Sequence, residues 1–422
     1  MGISETRNTR SPKTSETPPK AKSRPPTSNA VSFASSPTSR VGESRCVLTR
    51  RSVVLGGLAA LTACSRPKAK GFSGYAFIAN RDGGAVAAVD LEVFAVARHI
   101  PVDGAPTAVV AREKRARVYA LTPENGSIHE IRAGNLTFAR KLQVASAAIT
   151  MRLSPSGRNL YVLCREPRKL VALAFEPMRV DWELPLHADP MDLDTSPDGS
   201  LLAISYGAAH AITFVDLAQR QAFPLVRTTG EIGLVRFQND SRQLIAANTS
   251  ERLLSVYHVP TRRLMVHLPL AVRPDHLCFN ADGGQLFVTG EGMDAVVVVY
   301  PYFTPQIGET VLAGHNPGAM AASASPGYLF VANPKSADVS ILDIETRRVV
   351  AVTPVGTEPS YITITPDDQY ALVLNQASGD MAVIRIPNVT RAVNEQRRWK
   401  KGPLFMLIPV GSKPVSAAIV GI

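Results

Sequence analysis

Three histidines in this chain stand where side chains from distant segments can meet: His187 in LHADP, His276 in RPDH and His315 in AGHNP. Imidazole ligates soft and borderline metal ions, so three convergent rings would hold a metal or help seat a non-covalent cofactor. The competing reading is three loop histidines with no shared partner. Each lies within three residues of a proline, at Pro190, Pro274 and Pro317. Arg273, Asp275, Glu358 and Lys413 flank prolines in the same way and are candidates for holding a polar or anionic ligand. No Gly-rich phosphate loop, G-x-S-x-G elbow, Cys-x-x-Cys pair or C-x-x-C-H heme attachment accompanies them. The chemistry expected from these residues is binding rather than turnover.

A repeat must position these groups. The stretch SPDGSLLA from Ser196 has relatives from Arg112 (REKRARVY), Ser154, Gln238, Asn280, Ser325 and Thr365, at successive spacings of 42, 42, 42, 42, 45 and 40. Pro106, Pro190, Pro274, Pro317 and Pro359 keep the same phase, 84, 84, 43 and 42 residues apart. Within each period, short runs of Val, Ile, Leu and Tyr alternate with Pro, Gly, Asp and Asn clusters, as antiparallel strands and tight turns require. Four strands in about 42 residues predict an all-β chain built as a β-propeller of four-stranded antiparallel blades.

Eight inner-strand candidates begin near Pro106, Ala147, Pro190, Glu231, Pro274, Pro317, Pro359 and Pro414. The first second-strand candidate, YAFIAN from Tyr75, has no inner strand before it, and the last inner strand, PVSAAIV from Pro414, has no second strand after it. Pairing the two closes a ring of eight and removes two exposed strand edges. Seven blades is the alternative, should one repeat be degenerate.

The repeat also sorts the acids. Asp90, Asp216 and Asp343 follow apolar strands, and Asp198, Asp282 and Asp367 occupy the first-to-second-strand turn; carboxylates there cap turn amides and need no catalytic role. Those turns share a face with the third-to-fourth-strand turns. The connections between blades and the second-to-third-strand turns share the opposite face, around the mouth of the central channel, where binding is expected. Arg81, Glu124, Arg165, His210, Glu251, Glu291 and Lys335 belong to that face, each more simply a solvated charge.

LYVLC at Leu160, LFVTG at Leu286, LFVAN at Leu329 and VSILDIETRRVVAVTPVGTEP from Val339 resemble YVTN-type propeller repeats. The resemblance covers roughly residues 72 to 422, and the copies from Arg112 and Gln238 follow it least. It implies a propeller fold. Propellers with similar repeats include lactonases, quinoprotein-like dehydrogenases and eight-bladed nitrite-reductase-type heme domains, and none of their catalytic residues can be carried onto this chain.

The net charge of +11 is concentrated at the start: residues 1 to 63 hold 10 of 46 Lys and Arg and 3 of 35 Asp and Glu. The near balance of the remainder, with no basic stripe interleaved with aromatics, argues against nucleic-acid binding. Residues 1 to 48 read as a polar, disordered leader. In residues 49 to 63, Arg50 and Arg51 precede an apolar run from Val53 to Ala63 that is too short to span a bilayer. The paired arginines resemble a twin-arginine (Tat) export signal, and Leu61 to Cys64 resemble a bacterial lipobox in which Cys64 takes the lipid. The competing reading is a buried helix with a chance arginine pair. A start at a non-Met codon near Val41 or Val47 would shorten the long region before the arginines.

Residues 64 to 72 then read as a tether and 73 to 422 as a single propeller domain. Of the other cysteines, Cys46 lies in the leader, while Cys164 and Cys278, each inside an expected strand and 114 positions apart, are expected as buried free thiols, a disulfide in an oxidising compartment being the alternative. The run VNEQRRWKKGPLFM from Val393, with Trp399, is a solvated loop or a docking arm. The chain is therefore expected to be a monomeric, lipid-anchored propeller on the periplasmic side of a bacterial cell envelope, binding a small molecule or protein at the channel mouth. The alternative is a periplasmic enzyme or cofactor carrier, which Tat export modestly favours.

Overall fold

A computed structural model describes residues 71–389 and 402–422. They form eight antiparallel blades in a ring. Blade 1 takes Gly74–Asn80, Ala85–Asp90 and Ala95–Pro101 as its second, third and outer strands, and Pro414–Gly421 as its inner strand. The C-terminal strand therefore closes the ring, and the seven-blade alternative falls away. Blades 2 to 8 follow in chain order, with inner strands Ala108–Arg112, Ala147–Leu153, Asp192–Thr195, Ile232–Phe237, His276–Phe279, Met320–Ala322 and Pro359–Ile364. Among the described residues, blade 4 alone has a split outer strand, Gln221–Ala222 and Val226–Arg227.

The sequence pattern follows from where each strand sits. Second strands such as Tyr328–Asn333 and Tyr370–Asn375 are buried at every residue, because both faces of the sheet are covered by neighbouring blades. They read as continuous apolar runs instead of alternating ones. Outer strands such as Gln306–Leu312 face solvent and carry polar residues. The core is thus a set of slabs between blades. One slab joins Tyr370, Leu372 and Leu374 of blade 8 to Ala76, Ile78 and Ala417 of blade 1.

The turn acids behave as caps. The Asp90 carboxylate accepts the Glu92 N–H (2.8 Å), that of Asp216 the Ala218 and Gln219 N–H groups (2.9 and 2.8 Å), and that of Asp343 the Thr346 N–H (2.7 Å). Asp198 likewise accepts from the Ser196 hydroxyl (2.6 Å) and the Ser200 N–H (3.0 Å). Its carboxylate is fully engaged in shaping its own turn.

A second recurring device joins strand to loop. Asn80, Asn248, Asn333 and Asn375 end four second strands and are buried. Each packs against a glycine in the loop that leads into its blade: Gly411, Gly230, Gly314 and Gly356. At the ring closure the Asn80 side-chain amide donates to the Val410 carbonyl at 2.7 Å, and a Cβ on Gly411 would lie 2.5 Å from Asn80 Nδ2. Gly411 also holds φ +130, which side chains disfavour. Gly411→Ala is expected to destabilise the protein by about 1–3 kcal/mol in denaturant unfolding. Gly134→Ala, with nothing within 4 Å of the new methyl, should leave the midpoint within about 0.5 kcal/mol.

Candidate functional site

The loops between blades and the second-to-third-strand turns do gather on one face, and the proline-flanking residues fall there. The three histidines do not assemble a ligand set. Among the described residues no three His, Cys, Asp or Glu side chains are grouped so as to hold a metal ion. The physical reason lies in what holds each ring in place. His315 Nδ1 lies 2.6 Å from the Asp294 carboxylate, and the Asn316 N–H donates to the same carboxylate at 2.8 Å. That pair fastens the loop entering blade 7 to the preceding blade. His187 is exposed on the loop entering blade 4. His276 begins the inner strand of blade 6 and turns its ring toward the start of blade 7, where a Cβ on Gly318 would come 3.6 Å from Nε2.

His276 is reached by solvent yet crowded by surrounding protein. The crowding lowers its pKa below the usual imidazole value, although the Asp275 carboxylate acts the other way. Desolvation penalises the imidazolium, so the ring is held neutral at the channel mouth. Cys278, two residues along, is a free thiol pushed up to about 12 by burial. Cys164 is also free and buried, and burial raises it to about 12 as well. Neither is a reactive thiolate at neutral pH.

The four charged candidates divide into two pairs. Arg273 is engaged at the rim of blade 6: Nε donates to Asp275 Oδ1 at 2.7 Å, and Nη1 lies 2.8 Å from Oε2 of Glu291 in the second-to-third-strand turn. Asp275 in turn accepts the Glu291 N–H at 3.1 Å, closing a rim network on blade 6. Glu358 and Lys413, in contrast, line one cavity of about 560 Å³ at the seam between blades 8 and 1. Asp82, Gln376, Ser378 and Ser412 complete its polar lining. Lys413 Nζ is 3.8 Å from Asp82 Oδ2, a loose pair that leaves donor capacity.

Both Glu358 and Lys413 hold φ 55, and Asn316 holds φ 60 at the matching position before Pro317. Pre-proline residues are pushed out of the right-handed helical region. Three blades use the same left-handed solution with three different side chains, so the backbone there is structural while the side chain is free to vary. Of the second-to-third-turn residues, Arg165 instead falls within the strand Asn159–Glu166. Cys64, Arg50, Arg51, Cys46 and Trp399 lie outside the described residues.

The inner strands carry an ionic cluster that sequence reasoning missed. Asp192 and Asp194 on blade 4 accept the Val235 and Phe237 N–H groups of blade 5 at 3.1 and 2.8 Å. Arg236 donates to Asp192 at 2.5 Å, and Arg152 of blade 3 donates to the Leu193 carbonyl at 3.4 Å. The inner strands of blades 3, 4 and 5 are thereby stapled to one another. The alternation in MDLDT and GLVRF places these groups on one side of each strand, and that was the available signal.

No family model matches the chain. It is 29% identical over 113 residues to a seven-bladed beta-propeller protein of Mycobacterium tuberculosis, a match covering 26% of this chain and 28% of that relative. Among solved structures it is similar to the dihydro-heme d1 dehydrogenase NirN in complex with DHE, with TM-score 0.66 and 13% identity, covering 80% of this chain and 75% of that one. It is also similar to hydrazine synthase of Kuenenia stuttgartiensis, with TM-score 0.55 and 16% identity over 66% of this chain and 95% of that one. These likenesses show the propeller fold.

Burial raises the Asp194 carboxyl above the usual range, outweighing Arg236, the Phe237 N–H and Arg152, with Asp192 adding to the rise. A carboxyl whose folded pKa is raised binds its proton more tightly when folded, so stability falls as pH climbs from about 3.9 through the folded value. Asp194→Asn keeps an acceptor for Phe237 and removes this term. The variant is expected to be more stable than wild type at pH 7 and to lose that advantage as pH falls to about 4, read by denaturant unfolding across pH.

Proposed function

We propose that the chain is a binding module, exported and lipid-anchored at the bacterial cell envelope, that takes a polar small molecule at the channel-mouth face. The observation that carries this is the seam cavity, where Asp82, Glu358 and Lys413, far apart in the sequence, line one polar space. Two carboxylates, one ammonium, an amide and two hydroxyls offer acceptors and donors on all sides. This lining suits a neutral or singly cationic molecule rich in hydroxyl or amine groups. The rigid blades fix the loops, so binding needs little reorganisation.

Anchoring rests on Arg50, Arg51, the apolar run from Val53 and Cys64. Labelled palmitate is expected to enter the wild-type protein and not Cys64→Ser, and replacing Arg50 and Arg51 by Lys should stop export. Label in Cys64→Ser would overturn the anchor. For the ligand, mass spectrometry of small molecules released on denaturing protein from its native host is expected to find a stoichiometric compound. That compound should be lost from the Glu358→Ala, Lys413→Ala double variant. Equal release from both proteins would sink the assignment.

A second reading is favoured by His276 alone. A neutral imidazole at the channel mouth is in its ligating form, and NirN, similar in fold, is described in complex with DHE. One imidazole suits a cofactor bringing its own ligand frame better than a bare ion. A visible absorption band in natively expressed protein that disappears in His276→Ala would establish this reading over the first.

A further inference from the structure

A basic pocket lies on the face opposite the channel mouth, between blades 2 and 3. Its cavity of about 280 Å³ is lined by Arg112, Arg115, Arg117, Arg140, Glu130 and Glu176. The four guanidiniums share two carboxylates. Glu130, buried in the third strand of blade 2, lies 3.2 Å from Arg117 and 2.7 Å from Arg140. Glu176, in the third-to-outer turn of blade 3, lies 3.1 Å from Arg112 and 3.4 Å from Arg115. The lining therefore carries two positive charges in excess of its negative ones.

The arginines are held in place before any ligand arrives. Arg112 donates through Nε to the Gly157 carbonyl at 2.8 Å, and its guanidinium lies 4.5 Å from the centre of the Phe175 ring. Tyr119, Glu130 and Arg140 are cross-strand neighbours in register, so the blade itself spaces them. A second cavity of about 390 Å³ shares Arg112 and Arg115 and extends past Lys114 to Ser154, Ser156 and Arg158. The two spaces form an inner charged recess and an outer polar vestibule.

The source of the pocket is a break in the repeat. Where other blades place Ser-Pro-Ser-Gly, Ser-Pro-Asp-Gly or Asn-Ala-Asp-Gly in the first-to-second-strand turn, blade 2 has Arg-Glu-Lys-Arg. The turn becomes a single 3-10 turn, Glu113–Arg115, with Ala116 at φ 48 taking the place of the usual glycine. A turn needing only small polar residues instead carries Lys114 and Arg115 after the strand-ending Arg112, and the exposed Arg115 side chain packs in no core cluster.

We propose that this recess binds a phosphate monoester, with the phosphoryl group among Arg112, Arg115, Arg117 and Arg140 and the organic part in the vestibule. A guanidinium fork pairs with phosphoryl oxygens two at a time, and a dianion matches the excess of two positive charges, which a single carboxylate would leave half compensated. A phosphate monoester is dianionic above about pH 6, so binding should weaken as pH falls through that value.

The test is calorimetric titration of the full chain at fixed ionic strength with inorganic phosphate, glycerol 3-phosphate and acetate, and flotation with phosphatidic acid or phosphatidylcholine vesicles. Glycerol 3-phosphate is expected to bind at least roughly tenfold more tightly than acetate and to lose roughly tenfold in Arg115→Ala. The Arg115 side chain is 60% exposed, so its removal leaves the fold intact. Arg347→Ala, which breaks an ion pair between the third-to-outer turn of blade 7 and Glu309 on the outer strand of blade 6, serves as the control and should bind as wild type does. Arg115-dependent binding to phosphatidic acid vesicles alone would also support the site and identify a lipid headgroup as the source. No saturable binding of any phosphate probe, or equal affinity in Arg115→Ala and wild type, would overturn it.

Discussion

Everything in this molecule depends on one strand pairing: Pro414–Gly421 against Gly74–Asn80, register-matched from Gly421 with Gly74 to Ala417 with Ile78 and on to Pro414 with Asn80. A blade is hydrophobic on both faces, so it is stable only with a neighbour on each side. Blades 2 to 7 get both of theirs from chain order, but blades 8 and 1 meet only if the two ends of the chain join. The closure is accordingly reinforced by side chains. Asn80 binds the Val410 carbonyl, the Ser416 hydroxyl accepts the Val109 N–H at 3.2 Å, and the Tyr361 hydroxyl donates to the Ala417 carbonyl at 3.1 Å. Loss of that strand would leave two open sheet edges and an uncovered slab of core.

Within that closed ring, function is limited by what the repeat already uses. Asn at the end of a second strand, Gly in the incoming loop and a left-handed residue before proline are occupied by structure wherever they recur. A side chain is available for binding where its backbone role is repeated but its identity changes. Glu358, Lys413 and Asn316 share one backbone conformation and differ in charge, which makes the loop tips entering the blades variable ground on a fixed frame.

This separation explains what could be read from the residues alone. The period near 42, the phase-keeping prolines and the unpaired strands at the two ends determine eight closed blades, because each is a local signal repeated many times. The turn acids were legible for the same reason. Pairings between blades were not: the Asp294 carboxylate held by His315, and the Asp192–Arg236 contact, join residues 21 and 44 positions apart through loops or strands whose relative height is set by twist. Arg273 looked like a ligand group and is held by Asp275 of its own loop and by Glu291 of the second-to-third-strand turn of the same blade.

The same reasoning separates the two faces of the ring. On the mouth face several charges are answered locally: Arg273 by two acids, Asp294 by His315 and the Asn316 N–H, Lys413 loosely by Asp82. At the back of blades 2 and 3 four guanidiniums crowd two carboxylates, although like charges at close range raise the free energy of the folded state. A first-to-second-strand turn folds well with small polar residues, as the copies from Ser154 and Ser196 show. A departure that crowds like charges around two carboxylates is poorly explained by stability alone, so degeneracy of a repeat is a different observation from decay. Where the copy from Gln238 departs from the pattern, its turn still closes on Ser241 in the left-handed conformation and gathers no excess charge. Where the copy from Arg112 departs, charge is gathered around a cavity, and that distinction makes the arginines rather than the broken repeat the feature to interpret.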